Sequence, residues 1–262
     1  MDLSGRRVVI TGASRGIGRE VAIAAAAAGA RVALVARNEQ AIKELATELG
    51  GTAHPCDLSD REQVRGLIDR VEADGGAIDV LVNNAGVDNV APLEAVSEEQ
   101  VATTIQVNLI TPLDLCRQVL PRMIERRSGH IVNVSSLAAA AIFPGSTLYG
   151  ASKAGLSHAT EILRWELAGT GVDVTIVEPG PVPTDMLDQV KDYRPMEAGF
   201  DRAYRLRLTK DVPVEEMARA IVHAVEHRRR AVRLPRITAP FGVLRAAPMR
   251  IVRAISVGIP NR

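Results

Sequence analysis

The sequence predicts a single α/β domain built on a doubly wound parallel sheet, followed by a basic C-terminal extension. Three observations carry this. Short apolar runs alternate with helix-period stretches along most of the chain. A glycine-rich turn joins the first apolar run to an alanine-rich helix former. Polar and glycine-rich segments follow directly on several apolar runs, where an open α/β sheet gathers its ligands.

Arg7-Val8-Val9-Ile10 reads as the first strand and Thr11 to Gly18 as the turn. Val21 to Ala28 reads as a helix stopped by Gly29, and Ala30 to Ala36 as the second strand. This is the Rossmann-type unit that binds dinucleotides, here spaced Gly12-x-x-x-Gly16-x-Gly18. Gly12 permits the tight turn. Gly16 and Gly18 let the helix start approach a pyrophosphate, which Ser14, Arg15 and Ile17 would flank. A carboxylate at the end of the second strand usually marks NAD(H). Arg37 stands there instead, and Arg15 could reach the same corner. Two cations suit a ribose 2′-phosphate, so NADP(H) is expected and NAD(H) is the weaker candidate.

Ala41 to Leu49 is amphipathic, and Ala53 to Leu58 is the next strand and its exit. Asp57 fits either an adenine contact or a turn. Ser59 and Glu62 form a capping box for a helix over 60–73. Ile78 to Val82 exits into Asn83-Asn84-Ala85-Gly86, two amides at a ligand-facing edge. Ser97 and Gln100 start a long helix through Glu125, with Asn108 inside it as a core or a site residue.

His130 to Val134 leads into Ser135 and Ser136, Pro144-Gly145 marks a turn, and a helix follows from Tyr149 to Ala168. Tyr149 and Lys153 are four apart and share a helix face. A free phenol has a pKa of about 10. An ammonium at ~4 Å stabilises a phenolate by about 4 kcal/mol at an effective dielectric near 20, enough to bring it near pH 7. The spacing therefore predicts an acid/base group. Val172 to Val177 is a strand with a rigid exit, Pro179-Gly180-Pro181, placed to wall a cofactor pocket. Residues 185–210 break the rhythm and read as a lid. A helix to Glu226 and a short strand, Ala231 to Pro235, close the domain.

In this order and at these separations, the motifs resemble the short-chain dehydrogenase/reductase family over roughly residues 5 to 235. They are Thr11-Gly12-x-x-x-Gly16-x-Gly18, Asn83-Asn84-Ala85-Gly86, Asn108, Ser136, Tyr149-x-x-x-Lys153 and Pro179-Gly180. The resemblance implies hydride exchange between NADP(H) and a carbonyl/alcohol pair. It makes Tyr149 the proton donor or acceptor, and Ser136 the group bonding the substrate oxygen, with Ser135 the weaker candidate. Lys153 would acidify Tyr149 and hold the nicotinamide ribose. Asn108 would hold a relay water, Asn84 would support the adenosine ribose region, and Thr184 would touch the carboxamide. A homodimer or homotetramer through the helices carrying Asn108 and Tyr149 is implied. The shape of the chain's end looks like members acting on steroids, retinoids or fatty-acyl chains, which makes a lipophilic substrate the expectation.

Among 262 residues, 47% are hydrophobic and 3% aromatic, enough for one core of aliphatic side chains. Cys56 and Cys116 have no metal or redox spacing and suggest a reducing compartment. Met1 to Arg7 shows no signal peptide, so a cytoplasmic protein is expected. The net charge of +1 hides an asymmetry: His227 to Arg262 holds nine arginines and no acid, leaving the rest acidic. Residues 236–262 mix these with apolar side chains, as an interfacial segment on an anionic membrane does, or an arm packed on protein. Contact with the inner face of a membrane is therefore considered. Nothing suggests nucleic-acid binding. His223 and His227 share a helix face, but no third metal ligand is evident and Arg228 to Arg230 would repel a cation. Two other readings are a non-catalytic NADP(H)-binding redox sensor, which need not keep the Tyr-Lys pair, and a sugar-nucleotide epimerase, which needs a larger substrate domain.

Overall fold

Alternation along each strand builds the two faces of the sheet. In β1 (Arg7–Thr11), Val8 and Ile10 join one apolar cluster while Val9 joins the other. In β2 (Arg31–Ala36), Val32 and Leu34 go with the first cluster and Ala33 and Val35 with the second. Strands buried on both faces need helices on both sides, and that is the architecture of this computed structural model, which describes residues 1–191 and 193–240.

Among the described residues seven strands, all parallel, run in the order β3-β2-β1-β4-β5-β6-β7. The remaining strands are β3 (Thr52–Pro55), β4 (Val80–Asn83), β5 (Gly129–Val134), β6 (Val172–Pro179) and β7 (Ala231–Leu234). The order reverses at β1 and β4, so the chain leaves adjacent strands in opposite directions and opens a crevice at their C-terminal ends.

One face is covered by α1 (Gly16–Ala27), α2 (Glu39–Leu49) and α10 (Val214–Glu226). The small Ala22 and Ala25 of α1 lie buried in that cluster with Met217 and Ile221 of α10. The other face is covered by α4 (Leu67–Gly75) and α6 (Thr111–Glu125). Cys56 and Cys116 lie there as buried free thiols. Ahead of α6 comes α5 (Glu98–Ile105), which has the expected Ser97–Gln100 capping box.

Three local expectations are corrected. The helix expected over 60–73 is two helices, α3 (Arg61–Val64) and α4, broken at Gly66 with φ 64°. Its cap is Asp60, whose carboxylate accepts the Glu62 N–H, while Ser59 is held by Asp57 instead. The long helix through Glu125 contains a π-helical turn over Gln106–Ile110. Pro112 has no N–H to give the Asn108 carbonyl four residues earlier, so a regular ladder is interrupted there. The segment over 185–210, read as a break in the strand-helix rhythm, contains two helices, α8 (Asp185–Lys191) and α9 (Arg194–Arg205). The basic tail lies mostly outside the described residues, which end at 240. No described helix is long and apolar enough to cross a membrane.

Candidate active site

The crevice at the C-terminal edge of the sheet is a cleft of ≈ 1610 Å³. That is larger than the ~300–1,000 Å³ usual for a single small ligand, and suits a dinucleotide plus a substrate. The Gly-rich turn forms one end: Gly12, Ser14, Arg15, Gly16 and Ile17 all line the cleft. Gly12 has φ +67°, and a Cβ there would lie 2.9 Å from the Ala85 Cα. A Cβ on Gly18 would lie 2.3 Å from the Gly12 carbonyl oxygen, so only glycine lets α1 start this close to β1. The first turn of α1 has no acid and no side-chain cap. Its bare N–H groups are a seat for an anion, and this cradle fits a dinucleotide pyrophosphate.

Asn84 ties this turn to β4. Its amide donates to the Thr11 carbonyl at 3.0 Å, and the Thr11 hydroxyl accepts from the Asn84 and Ala85 backbones. Asn83 departs from expectation: its side chain turns into the core and bonds Asn133 at 2.9 Å, so only one of the two amides faces the site. At the far corner, Arg37, Asn38 and Asp57 line the cleft beside Ala36. Asp57 serves the turn, accepting from the Ser59 backbone and hydroxyl, and also lies 4.0 Å from Arg37. Arg15 reaches across to Asp185 at 2.7 Å rather than toward Arg37, linking the Gly-rich turn to α8. On the opposite wall, Pro179, Gly180 and Thr184 line the cleft. The Gly180 N–H is pinned to the Leu234 carbonyl at 2.7 Å, and the Thr184 methyl lies 3.4 Å from where a Gly16 Cβ would be.

The chemistry-bearing side chains meet in the middle. Tyr149 and Lys153 lie one turn apart on α7 (Thr147–Glu166), and both line the cleft together with Ser136. Ser136 starts a short 3-10 turn and accepts the Ala138 N–H at 3.1 Å. Its hydroxyl also acts on the Tyr149 phenol, drawing its pKa down. Ser135 plays another part: buried, it donates to the Lys153 carbonyl and pairs with Ser157 at 2.7 Å. The Lys153 ammonium donates to the Val134 carbonyl at 2.9 Å, which fixes it under the end of β5. Asn108 is fully buried, gives its amide to Val87 and Ser152, and accepts the Val87 N–H. A Cβ on Gly86 would sit 3.3 Å from Lys153 Nζ and 3.4 Å from Asn108 Oδ1, so β4's exit, Asn108 and Lys153 form one neighbourhood.

Electrostatics here differ from the expectation for Tyr149. Its phenol is pushed up from the usual value, by burial first and the Asp88 charge second, with Ser136 pulling the other way. The Lys153 ammonium lies 5.8 Å from the ring centroid, and burial of the phenol dominates. Burial also pulls Lys153 down to about 8, with Asp88 opposing. The protein alone thus holds a protonated phenol beside a charged amine at neutral pH.

Three features escaped the sequence reading. Asp88 lines the cleft beside Tyr149 and Lys153, and burial raises its carboxyl to about 6. Nothing in its spacing announces it. The π turn around Asn108 could have been suspected from Pro112. Glu226 joins His223 and His227 as a third potential ligand, their donor atoms within 4.8 Å of one another, because positions three and four apart share a helix face. His223 and Glu226 lie in the last turn of α10 and His227 follows directly, and none of the three lines the cleft.

Comparison with known proteins agrees with this geometry. The short chain dehydrogenase family matches residues 6–195. A short chain dehydrogenase of Pseudocercospora fijiensis is 41% identical over 191 residues, covering 70% of this chain and 62% of that protein. The D-threitol dehydrogenase of Mycolicibacterium smegmatis is 39% identical, covering 70% of this chain and 73% of that one. A solved structure described as an NAD(P)-dependent gluconate 5-dehydrogenase from Beutenbergia cavernae, with bound NADP, superposes with TM-score 0.79 at 31% identity. It covers 88% of this chain and 96% of its own. With its seven-stranded sheet, its glycine cradle and its Tyr149–Lys153 pair in one cleft, the chain belongs to the short-chain dehydrogenase family.

Proposed function

We propose that the protein is an NADP(H)-dependent oxidoreductase that interconverts a lipophilic ketone and its alcohol. The observation that carries this is the convergence of Ser136, Tyr149 and Lys153 on the cleft that begins at the Gly-rich turn. Arg37 at the end of β2, with no acid at that strand end, supports the phosphorylated cofactor. The NADP bound in the structurally similar gluconate 5-dehydrogenase points the same way.

The cofactor, when bound, supplies or takes up the hydride. The chain's own residues do the rest. Ser136 and Tyr149 together hold the substrate oxygen, and Tyr149 gives it a proton as charge develops there. Lys153, fixed by the Val134 carbonyl, keeps positive charge near that oxygen and replaces the proton. Asn108 holds the β4 exit in place through its paired bonds to Val87. A phenol that is protonated in the free protein has the proton to give when the ketone is reduced.

The lipophilic reading rests on the outer cleft. Phe143 stacks on Phe200 at 5.3 Å, and Phe200 on Tyr204 at 6.2 Å. Ile142, 97% exposed, and the exposed Leu206 and Leu208 also line the cleft. Exposed large apolar side chains gathered at a cleft are unusual and mark a surface that binds something apolar. The threitol and gluconate enzymes among the similar proteins define the competing, hydrophilic reading. We further propose a homo-oligomer through the helices bearing Asn108 and Tyr149, since Ile110 and Ile162 are exposed there, and a cytoplasmic location.

Fluorescence titration with NADPH and NADH, followed by a screen of ketones of graded chain length, tests the reading. Tighter NADPH binding and kcat/KM rising with chain length are expected. NADH preference removes the cofactor assignment; equal or better turnover of short polyols removes the lipophilic one.

A further inference from the structure

The acid that the proton chemistry leaves unused is Asp88. It follows β4 by five residues and lines the cleft with Ser136, Tyr149 and Lys153. Its immediate neighbours are anchored on both sides. Val87 is held by two hydrogen bonds to Asn108, at 2.8 and 2.9 Å, and the Asn89 amide donates to Thr104 at 2.9 Å. The backbone on either side of Asp88 is therefore fixed, and the carboxyl is delivered to the cleft wall with little freedom.

The carboxyl itself is under-served. The Asn89 backbone N–H acts on it and draws its pKa down, but Oδ1 is enclosed and meets no donor among the described residues. A half-buried carboxylate with one oxygen enclosed and short of donors is costly. An asparagine or serine would fill the same space at less cost. Retaining an acid there makes sense if a donor arrives with the ligand.

The donor's chemistry can be narrowed. The Lys153 ammonium stands in the same neighbourhood and disfavours a second cation. The negative charge of Asp88 disfavours a carboxylate-bearing substrate. A neutral hydroxyl satisfies both. Because Asp88 acts electrostatically on Tyr149 itself, that hydroxyl belongs near the reacting carbon, while the apolar side chains Phe143, Phe200 and Leu206 lie with it in the same cleft.

We propose that Asp88 is a substrate-specificity residue that accepts a hydrogen bond from a hydroxyl adjacent to the reacting carbonyl, so that the preferred substrate is a hydroxyketone or diol with an apolar tail. This deepens, and rests on, the oxidoreductase reading above.

Matched substrates test it. A long-chain methyl ketone is compared with its hydroxymethyl counterpart, which carries one hydroxyl on the carbon beside the carbonyl. NADPH oxidation is followed for wild type, Asp88→Asn and Asp88→Ala, after NADPH binding has shown each variant to be folded. The ratio of kcat/KM between the two ketones is the readout, because any effect of Asp88 on Lys153 or Tyr149 acts on both and cancels. The wild type should prefer the hydroxylated ketone by about tenfold or more, the size of a charge-assisted hydrogen bond. Asp88→Asn should retain part of that ratio and Asp88→Ala should bring it to about one. A wild type without preference, or Asp88→Ala with the wild-type ratio, overturns the proposal. Chain-length dependence within the plain ketones reads the lipophilic assignment separately, so either idea can fall alone.

Discussion

Replacing Lys153 by methionine keeps an unbranched side chain one atom shorter and removes its charge. The ammonium lies 5.8 Å from the Tyr149 ring centroid. A positive charge about 6 Å from a phenolate oxygen is worth about 3 kcal/mol at an effective dielectric near 20, or roughly two units on the phenol's pKa. In alcohol oxidation the phenol must be ionised, so at any pH below its pKa the rate follows the ionised fraction. Lys153→Met should therefore lower kcat/KM for oxidation by about 100-fold near pH 7. The sign of the pH dependence is also fixed. Burial holds Lys153 at about 8, so the wild type loses this charge as pH rises through that value. The gap between wild type and variant should be full below pH 8 and close above it. The assay is initial-rate NADPH formation from a saturating range of alcohol between pH 6 and 10. A loss of equal size at every pH would mean that Lys153 only holds the cofactor, and would refute the electrostatic coupling.

Two further outcomes are expected. Arg37→Glu should weaken NADPH binding by about tenfold or more while sparing NADH, as loss of a charge-assisted phosphate contact does. Its exposed pairing with Asp57 at 4.0 Å is worth little, so the melting temperature should hardly move, and unchanged NADPH affinity would clear Arg37 of the role. His130 is fully buried against Thr175 at 2.8 Å, and burial lowers its pKa to about 4. Its depressed folded value means the unfolded chain binds the extra proton first. Stability from this group is whole above pH 6.5 and falls by about 3 kcal/mol as pH drops to 4. Urea unfolding should show a flatter acid limb in His130→Gln; an identical slope would place the acid sensitivity elsewhere.

Much of this site was legible because its parts obey local rules. A glycine that must admit a neighbouring backbone, as at Gly18 against the Gly12 carbonyl, leaves a mark at fixed spacing. So do Tyr149 and Lys153, which helix geometry alone brings together. The preference for Ser136 over Ser135 came from the family resemblance; in the structure the Ser135 hydroxyl is taken up by the Lys153 carbonyl and Ser157. What was illegible depends on side chains choosing between partners. Ser59 reads as a cap, yet Asp57 takes its hydroxyl and Asp60 caps the helix. Arg15 reads as a phosphate ligand, and in the protein alone it pairs with Asp185, from a segment 170 residues away. The protonation of Tyr149 depends on how deeply the fold buries it and on Asp88, and neither is written in the Tyr-x-x-x-Lys spacing.

The account turns on whether the Tyr149 hydroxyl moves the proton. Single-turnover reduction of a ketone by NADPH-loaded Tyr149→Phe, with cofactor affinity measured on the same sample, addresses that directly. The expected result is NADPH binding close to wild type and chemistry slowed by about 100-fold or more, the range of a lost general acid. A phenylalanine variant that binds NADPH and reduces the ketone at the wild-type rate would contradict it.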